Sequence, residues 1–137
     1  MKTEKNGAAA REQGACPFCI TREDKVVIAE LGTVLALRDR YPVTGLHTLI
    51  VPRRHVPDFF SMTREEIRDA HELVMRLQKE ISKADPSVTG FNVGFNCGES
   101  AGQTIMHAHI HLIPRRDGDT PSPRGGVRGV IPDRMSY

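Results

Sequence analysis

Met106-His107-Ala108-His109-Ile110-His111-Leu112-Ile113 is the stretch on which the reading of this chain turns. Side chains on an extended strand alternate between two faces. Met106, Ala108, Ile110 and Leu112 therefore fall on one face, and His107, His109, His111 and Ile113 on the other. The first set can pack on a core, while the second lines a surface with imidazoles. With a rise of about 3.3 Å per residue, successive histidines stand about 6.6 Å apart and the outer two about 13 Å. Histidines in strict alternation are poor core filling. A His-x-His pair on a strand can chelate one ion, but ends about 13 Å apart cannot share it, which leaves at least one imidazole for other work. Imidazole is a competent nucleophile near neutral pH and also an acid or base. Pro114 is expected to close the strand.

Working outward, residues 26–30 and 33–37 are β-branched or aliphatic runs around Gly32 and read as a hairpin or meander. Residues 47–51 give a third strand, stopped by Pro52 because proline cannot extend a central ladder. Thr63 followed by Glu66 has the spacing of a capping box. Ile67, Ala70, Val74, Leu77, Ile81 and Ala84 then recur at helical steps until Asp85-Pro86, where the residue before proline leaves helical geometry. Residues 90–96 supply a fourth strand, and 106–113 the fifth. This order predicts an α+β fold, a five-stranded antiparallel sheet with one main helix packed on it. Residues 1–14 are polar and Ala/Gly-rich and are expected to be flexible, 15–114 to form the folded domain, and 115–137, rich in Gly, Pro and Arg, to be an irregular arm.

A length of 137 residues suits one domain. The charge of +2, from 19 basic against 17 acidic residues, is too balanced for a general nucleic-acid or membrane surface. No apolar run is long enough to span a bilayer and the first residues lack a secretory signal, so a cytoplasmic location is expected. Cysteines at 16, 19 and 97 do not make a disulfide framework, which fits a reducing compartment.

Just before the histidines, Asn96, Gly98, Gly102, Gln103 and Thr104 form a Gly-rich polar loop, the kind that brings backbone N–H groups and small donors to phosphate oxygens. Here a resemblance becomes visible. His107-Ala108-His109-Ile110-His111-Leu112-Ile113 matches the signature of the histidine triad family, His-φ-His-φ-His-φ-φ with φ hydrophobic. Ala101-Gly102-Gln103-Thr104 and Pro114-Arg115-Arg116 also resemble that family, particularly its fragile histidine triad branch, and residues 123–132 resemble the tails of bacterial members.

The resemblance implies a nucleotide-binding domain that cleaves at the α-phosphate of a dinucleoside polyphosphate or nucleoside phosphoramidate. His109 would take the nucleotidyl group covalently before water, or another acceptor such as a sugar phosphate, removes it. A nucleotide-binding regulatory protein without turnover is the rival. By the same mapping His111 contacts the phosphate, Gln103 and Thr104 the phosphate or leaving group, Asn96 the phosphate, and Asp39 the ribose, while His47 lines the pocket or packs beneath it. The nucleotide is expected to be a purine nucleotide, adenosine-containing, with no organic cofactor and no nucleic-acid or membrane partner, and the chain is expected to pair as a homodimer.

Cys16-Pro17-Phe18-Cys19 has the gap that lets two thiolates grip one tetrahedral ion, which needs two further ligands. Resemblance to family members with a Cys-x-x-Cys near the start supplies them as His55 and His107, making a structural zinc of Cys16, Cys19, His55 and His107. The alternatives are a redox pair, since Cys-Pro-Phe-Cys resembles a glutaredoxin site, or unliganded thiols. The flanks lack the buried strand and long helix that a redox motif requires. Arg53-Arg54 and Arg115-Arg116 read as solvated surface pairs.

Overall fold

The computed structural model describes residues 16–19 and 27–137. The 1–14 segment and the start of the 26–30 run lie outside the described residues. Five strands, β1 (Ala29–Leu31), β2 (Val34–Arg38), β3 (Thr48–Pro52), β4 (Val88–Phe95) and β5 (Ile110–Arg116), form one sheet in the order β1-β2-β3-β5-β4. Every pairing is antiparallel. One long helix, α1 (Arg64–Ala84), connects β3 to β4 across a single face. The expected α+β architecture is the one observed.

Local chemistry explains the elements. Thr63 Oγ accepts the Glu66 N–H at 3.1 Å and Glu66 returns a carboxylate oxygen to the Thr63 N–H at 2.8 Å, the capping box that starts α1. Asp85 ends it. The buried stripe is rotated from the sequence expectation. Ala70, Leu73, Leu77 and Ile81 face the sheet, whereas Ile67 is exposed. Glu66 and Asp69 are buried because each has a partner: Arg54 for the first, and the Thr33 N–H and hydroxyl at 2.9 and 2.7 Å for the second.

β2 and β3 are apolar on both faces because both are covered. Val34, Ala36, Ile50, Leu112 and Ile110 pack under α1, and Leu35, Leu37, Leu49 and Val51 pack with Phe18 on the opposite face. Gly32 makes the β1–β2 turn at φ +52, where a Cβ would lie 2.4 Å from Asp69 Oδ2.

Two expectations about the histidine strand are corrected. First, β5 begins at Ile110, so only His111 of the three is in the sheet. Pairing with both neighbours ends there, at Ile50 and Phe95, although β3 itself continues to Pro52 against β2. Residues 107–109 continue alone, and the Ala108 N–H goes instead to Val56 O at 2.7 Å. Second, β5 passes through Pro114 to Arg116. β3 pairs β5 only as far as Leu112, so Pro114 sits where β5 has a single neighbour, a position that tolerates a missing N–H. The basic pair beyond it is not free surface. Arg116 reaches Asp85 at 2.8 Å and Arg115 reaches Asp119 at 2.7 Å. Among the described residues no helix is long and apolar enough to cross a membrane.

Candidate active site and metal centre

The face of the sheet away from α1 carries the histidines, and each ring has one nitrogen committed to the protein. His109 Nδ1 lies 2.8 Å from the His107 carbonyl oxygen, so Nδ1 carries the proton and Nε2 keeps its lone pair. The ring is wedged against Phe18, with centroids 4.9 Å apart. His47 Nδ1 accepts the Val43 N–H at 3.1 Å, which puts the His47 proton on Nε2. That proton faces His111 Nδ1 at 2.9 Å, with Asp39 Oδ2 at 3.5 Å. His111 is thereby left with its own proton on Nε2, a donor opposite in kind to the bare Nε2 of His109. The two rings are neighbours, 5.1 Å between centroids.

Burial holds His111 neutral, its pKa lowered to about 4, with the nearby His109 and His47 acting in the same direction and Asp39 opposing. Burial likewise lowers the pKa of His47, against the pull of Asp39.

Beside these rings is a cavity of about 610 Å3. His109, His111, Asn96, Thr104, Asp39 and Tyr41 are among its polar lining, and Phe18, Leu37, Leu49 and Ile105 supply apolar walls. A few polar groups set among apolar walls is the composition of a small-ligand site. Asp39 Oδ1 is engaged by the Tyr41 N–H at 2.7 Å, which fixes the carboxylate at the rim. Asp39 and Leu37 are two apart across the end of β2, so the strand period that placed Leu37 could have nominated it as a wall; Phe18 was read only as a spacer between cysteines.

The loop from Asn96 to Thr104 turns on Gly98 and Gly102, both with φ near +90, a region that favours glycine. Gln103 does not line the cavity. It is buried beneath the loop, its Oε1 accepting the Gly98 N–H at 2.8 Å and its Nε2 donating to Pro57 O and Ile105 O at 2.5 and 3.0 Å. Thr104, next in sequence, is exposed at the cavity wall.

The other predicted cluster also comes together. One ligand atom each from Cys16, Cys19, His55 and His107 lie within 4.8 Å of one another. His107 donates Nε2–H to Pro52 O at 2.8 Å and so turns the Nδ1 lone pair inward. Ideal tetrahedral zinc, with Zn–S about 2.3 Å and Zn–N about 2.05 Å, sets S···N edges of about 3.5 Å and N···N edges of about 3.3 Å. Cys16 Sγ and Cys19 Sγ are 3.6 and 3.5 Å from His107 Nδ1, and His55 Nδ1 is 3.2 Å from it. Cys19 Sγ to His55 Nδ1, at 2.9 Å, is shorter than the ideal S···N edge. The donor set fits a zinc ion, and histidine ligands beside both thiols are not the surroundings of a dithiol redox pair.

Residues 21–118 match the HIT domain family model. The chain belongs to the HIT family. Among proteins similar to it, the asymmetrical bis(5'-nucleosyl)-tetraphosphatase of Schizosaccharomyces pombe is 37% identical over 78 residues, 57% of this chain and 42% of that one. The nitrilase and fragile histidine triad fusion protein of Caenorhabditis elegans is 38% identical over 57% of this chain and 18% of its own length. A hypothetical histidine triad nucleotide-binding protein from Sulfolobus tokodaii superposes with a TM-score of 0.70 at 33% identity, covering 78% of this chain and 73% of that one. A zinc-bound histidine triad family protein from Mycobacterium smegmatis does so with a TM-score of 0.69 at 31% identity, covering 77% and 78%.

Proposed function

We propose that this HIT protein is a nucleotide hydrolase that cleaves at the α-phosphate of a dinucleoside polyphosphate or nucleoside phosphoramidate through a nucleotidyl-His109 intermediate. The observation that carries the reading is the tautomer of His109: its Nδ1–H is tied to the His107 carbonyl, so the Nε2 lone pair is the atom presented to the cavity. In the first step Nε2 attacks the α-phosphorus, and the bond to the bridging oxygen or nitrogen breaks with its electron pair going to the leaving group, a nitrogen leaving group taking a proton from solvent so that it departs as the neutral amine or ammonia. In the second, a water oxygen attacks the same phosphorus, the P–N bond returns its pair to His109, and the water proton passes to solvent. His111 Nε2–H, the Thr104 hydroxyl and Asn96 face the charge that develops on the equatorial oxygens. Asp39 suits the hydroxyls of a ribose, and the apolar walls suit a purine base such as adenine. Gln103 acts by holding the loop that places Thr104.

Zinc, held by Cys16, Cys19, His55 and His107, would have four protein ligands and no open position, so its part is to pin residues 16–19 to the start of the histidine segment. This sets Phe18 against His109. The exposed edge of β4 offers the surface for pairing as a homodimer, and three cysteines outside any disulfide suit a cytoplasmic location.

The test is to mix the protein with adenosine phosphoramidate and diadenosine tri- and tetraphosphate, quench without acid, and weigh the intact chain. A nucleotidyl adduct lost in His109→Ala, together with turnover, is the expected result. Near-normal cleavage by purified His109→Ala would end this reading.

A further inference from the structure

On the far side of His111 from the first cavity lies a second, of about 710 Å3, between the β4–β5 face and the C-terminal arm. We propose that it is a binding subsite for the departing half of a two-headed nucleotide, a leaving group that carries an apolar, planar base. This rests on the hydrolase reading above and adds to it a place for the group that leaves.

The floor comes from the pairing of β4 with β5. Gly94 is opposite His111 and Asn92 opposite Ile113. A Cβ on Gly94 would meet nothing within 4 Å, so the space immediately beside the phosphate-facing histidine is open. His47, His111 and Asn96 belong to the wall of this cavity, and the last two also to that of the first. A phosphorus held at His109 and His111 is therefore flanked by two chambers. Attack by His109 from the first requires the leaving group to depart away from it.

The roof is the Gly-rich tail, whose composition the chemistry at the triad does not explain. Arg115 turns the chain back by donating Nε and Nη2 to Asp119 Oδ2 and Oδ1 at 2.8 and 2.7 Å, and its Nη1 donates to Asn92 Oδ1 at 2.7 Å. Residues 125–129 then wrap closely on Met135. A Cβ at Gly125 would lie 2.1 Å from the Met135 carbonyl oxygen, and one at Gly129 lies 3.0 Å from its sulfur. Gly126 lies against the floor, its Cβ position 3.4 Å from Asn92 Nδ2. Larger residues at these glycines would lift the coil off the cavity.

The lining chooses the ligand. Arg115 carries the guanidinium of the chamber, and its charge is already compensated by the Asp119 carboxylate, so a bare phosphate would find no uncompensated cation there. Ile113, Val127 and Val130 supply apolar surface, with the Asn92 amide and Thr120 as neutral polar contacts. That combination suits a nucleobase, and a volume of this size accommodates a nucleoside. Ammonia, the leaving group of adenosine phosphoramidate, would gain nothing from it.

The test compares two substrates in the full-length protein and in two variants. Gly94→Val fills the floor and keeps strand propensity, and Val130→Asp places a charge on the roof at a residue exposed enough to leave folding intact, which melting curves check. For each, the ratio of kcat/KM on diadenosine triphosphate to that on adenosine phosphoramidate should fall at least tenfold. A ratio within twofold of the unaltered protein in both variants, or equal losses on the two substrates, would overturn the subsite. Binding to His109→Ala protein, by calorimetry, gives an independent readout: diadenosine triphosphate should bind at least tenfold tighter than adenosine monophosphate, and Val130→Asp should abolish the difference. If the unaltered protein cleaves neither substrate, the hydrolase reading falls while the calorimetry still decides the subsite. Equal affinities there would overturn it.

Discussion

Lowering the pH from 7 to 5 should destabilise this protein through His111 before any carboxylate is neutralised. In the folded chain burial, reinforced by His109 and His47 and opposed by Asp39, lowers its pKa to about 4. In the unfolded chain it returns to the ordinary value of about 6.5. Between those values the unfolded state binds a proton that the folded state refuses, so stability is full above pH 6.5, falls as pH falls, and loses nothing more from this group below pH 4. Integrating from pH 7 to 5 gives a loss of about 2 kcal/mol from His111 alone, or about 1 M in the urea midpoint. His47, also lowered by burial, adds to the loss in the same direction. Urea denaturation at both pH values, on the unaltered protein and on His111→Asn, isolates the contribution. The asparagine amide oxygen can still accept the His47 proton but has no titration. The stability difference between the two proteins should change by about 2 kcal/mol across the window. A change below about 0.5 kcal/mol would refute a neutral, buried His111 and with it the Nε2–H donor assigned to the phosphate.

Glu66→Ala removes half of the capping box and the partner of Arg54, whose exposed guanidinium makes the pair weak; the loss should be about 1–2 kcal/mol, or a Tm lower by about 3–8 °C. Calorimetry showing no shift would mean α1 starts without its cap. Gly32→Ala forces a left-handed φ on a side chain whose Cβ meets Asp69 Oδ2 at 2.4 Å, so Asp69 must release Thr33. A cost of about 2–4 kcal/mol in urea is expected, and a cost under about 0.5 kcal/mol would contradict that turn. Stripping zinc with a chelator should lower Tm by at least about 10 °C, because metal affinity is folding energy. Removal of one equivalent of zinc with an unchanged melting curve would show that the cluster does not hold the fold.

The parts of the structure legible in the sequence are those set by local periodicity. Thr63 and Glu66 announced the start of α1, and the alternation of apolar residues separated core from site along 106–113. Register is different, since it depends on where neighbours end. Nothing in Met106 or His107 says that pairing with β3 and β4 stops at Ile110, or that Pro114 lies beyond the residues β3 pairs. The same limit applies to the site. Gln103 and Thr104 are adjacent and equally polar, yet the turn at Gly102 points one into the loop and the other at the cavity. Asp69 had no visible purpose until Gly32 brought the Thr33 N–H to it across α1.

The early end of the sheet is what lets one short segment serve two sites. Were residues 107–109 inside a ladder, their backbone groups would be spent on neighbouring strands. Freed from it, the His107 carbonyl accepts the His109 proton at 2.8 Å, and the His107 ring is held by Pro52 O while its other nitrogen turns to Cys16, Cys19 and His55. The backbone of His107 thus sets the tautomer of His109 while its side chain belongs to the metal cluster. His107→Asn would retain a peptide carbonyl for His109 but lose the ligand, so on this geometry its first consequence is the release of residues 16–19, and with them the Phe18 wall against His109, before any change in the nucleophile's proton.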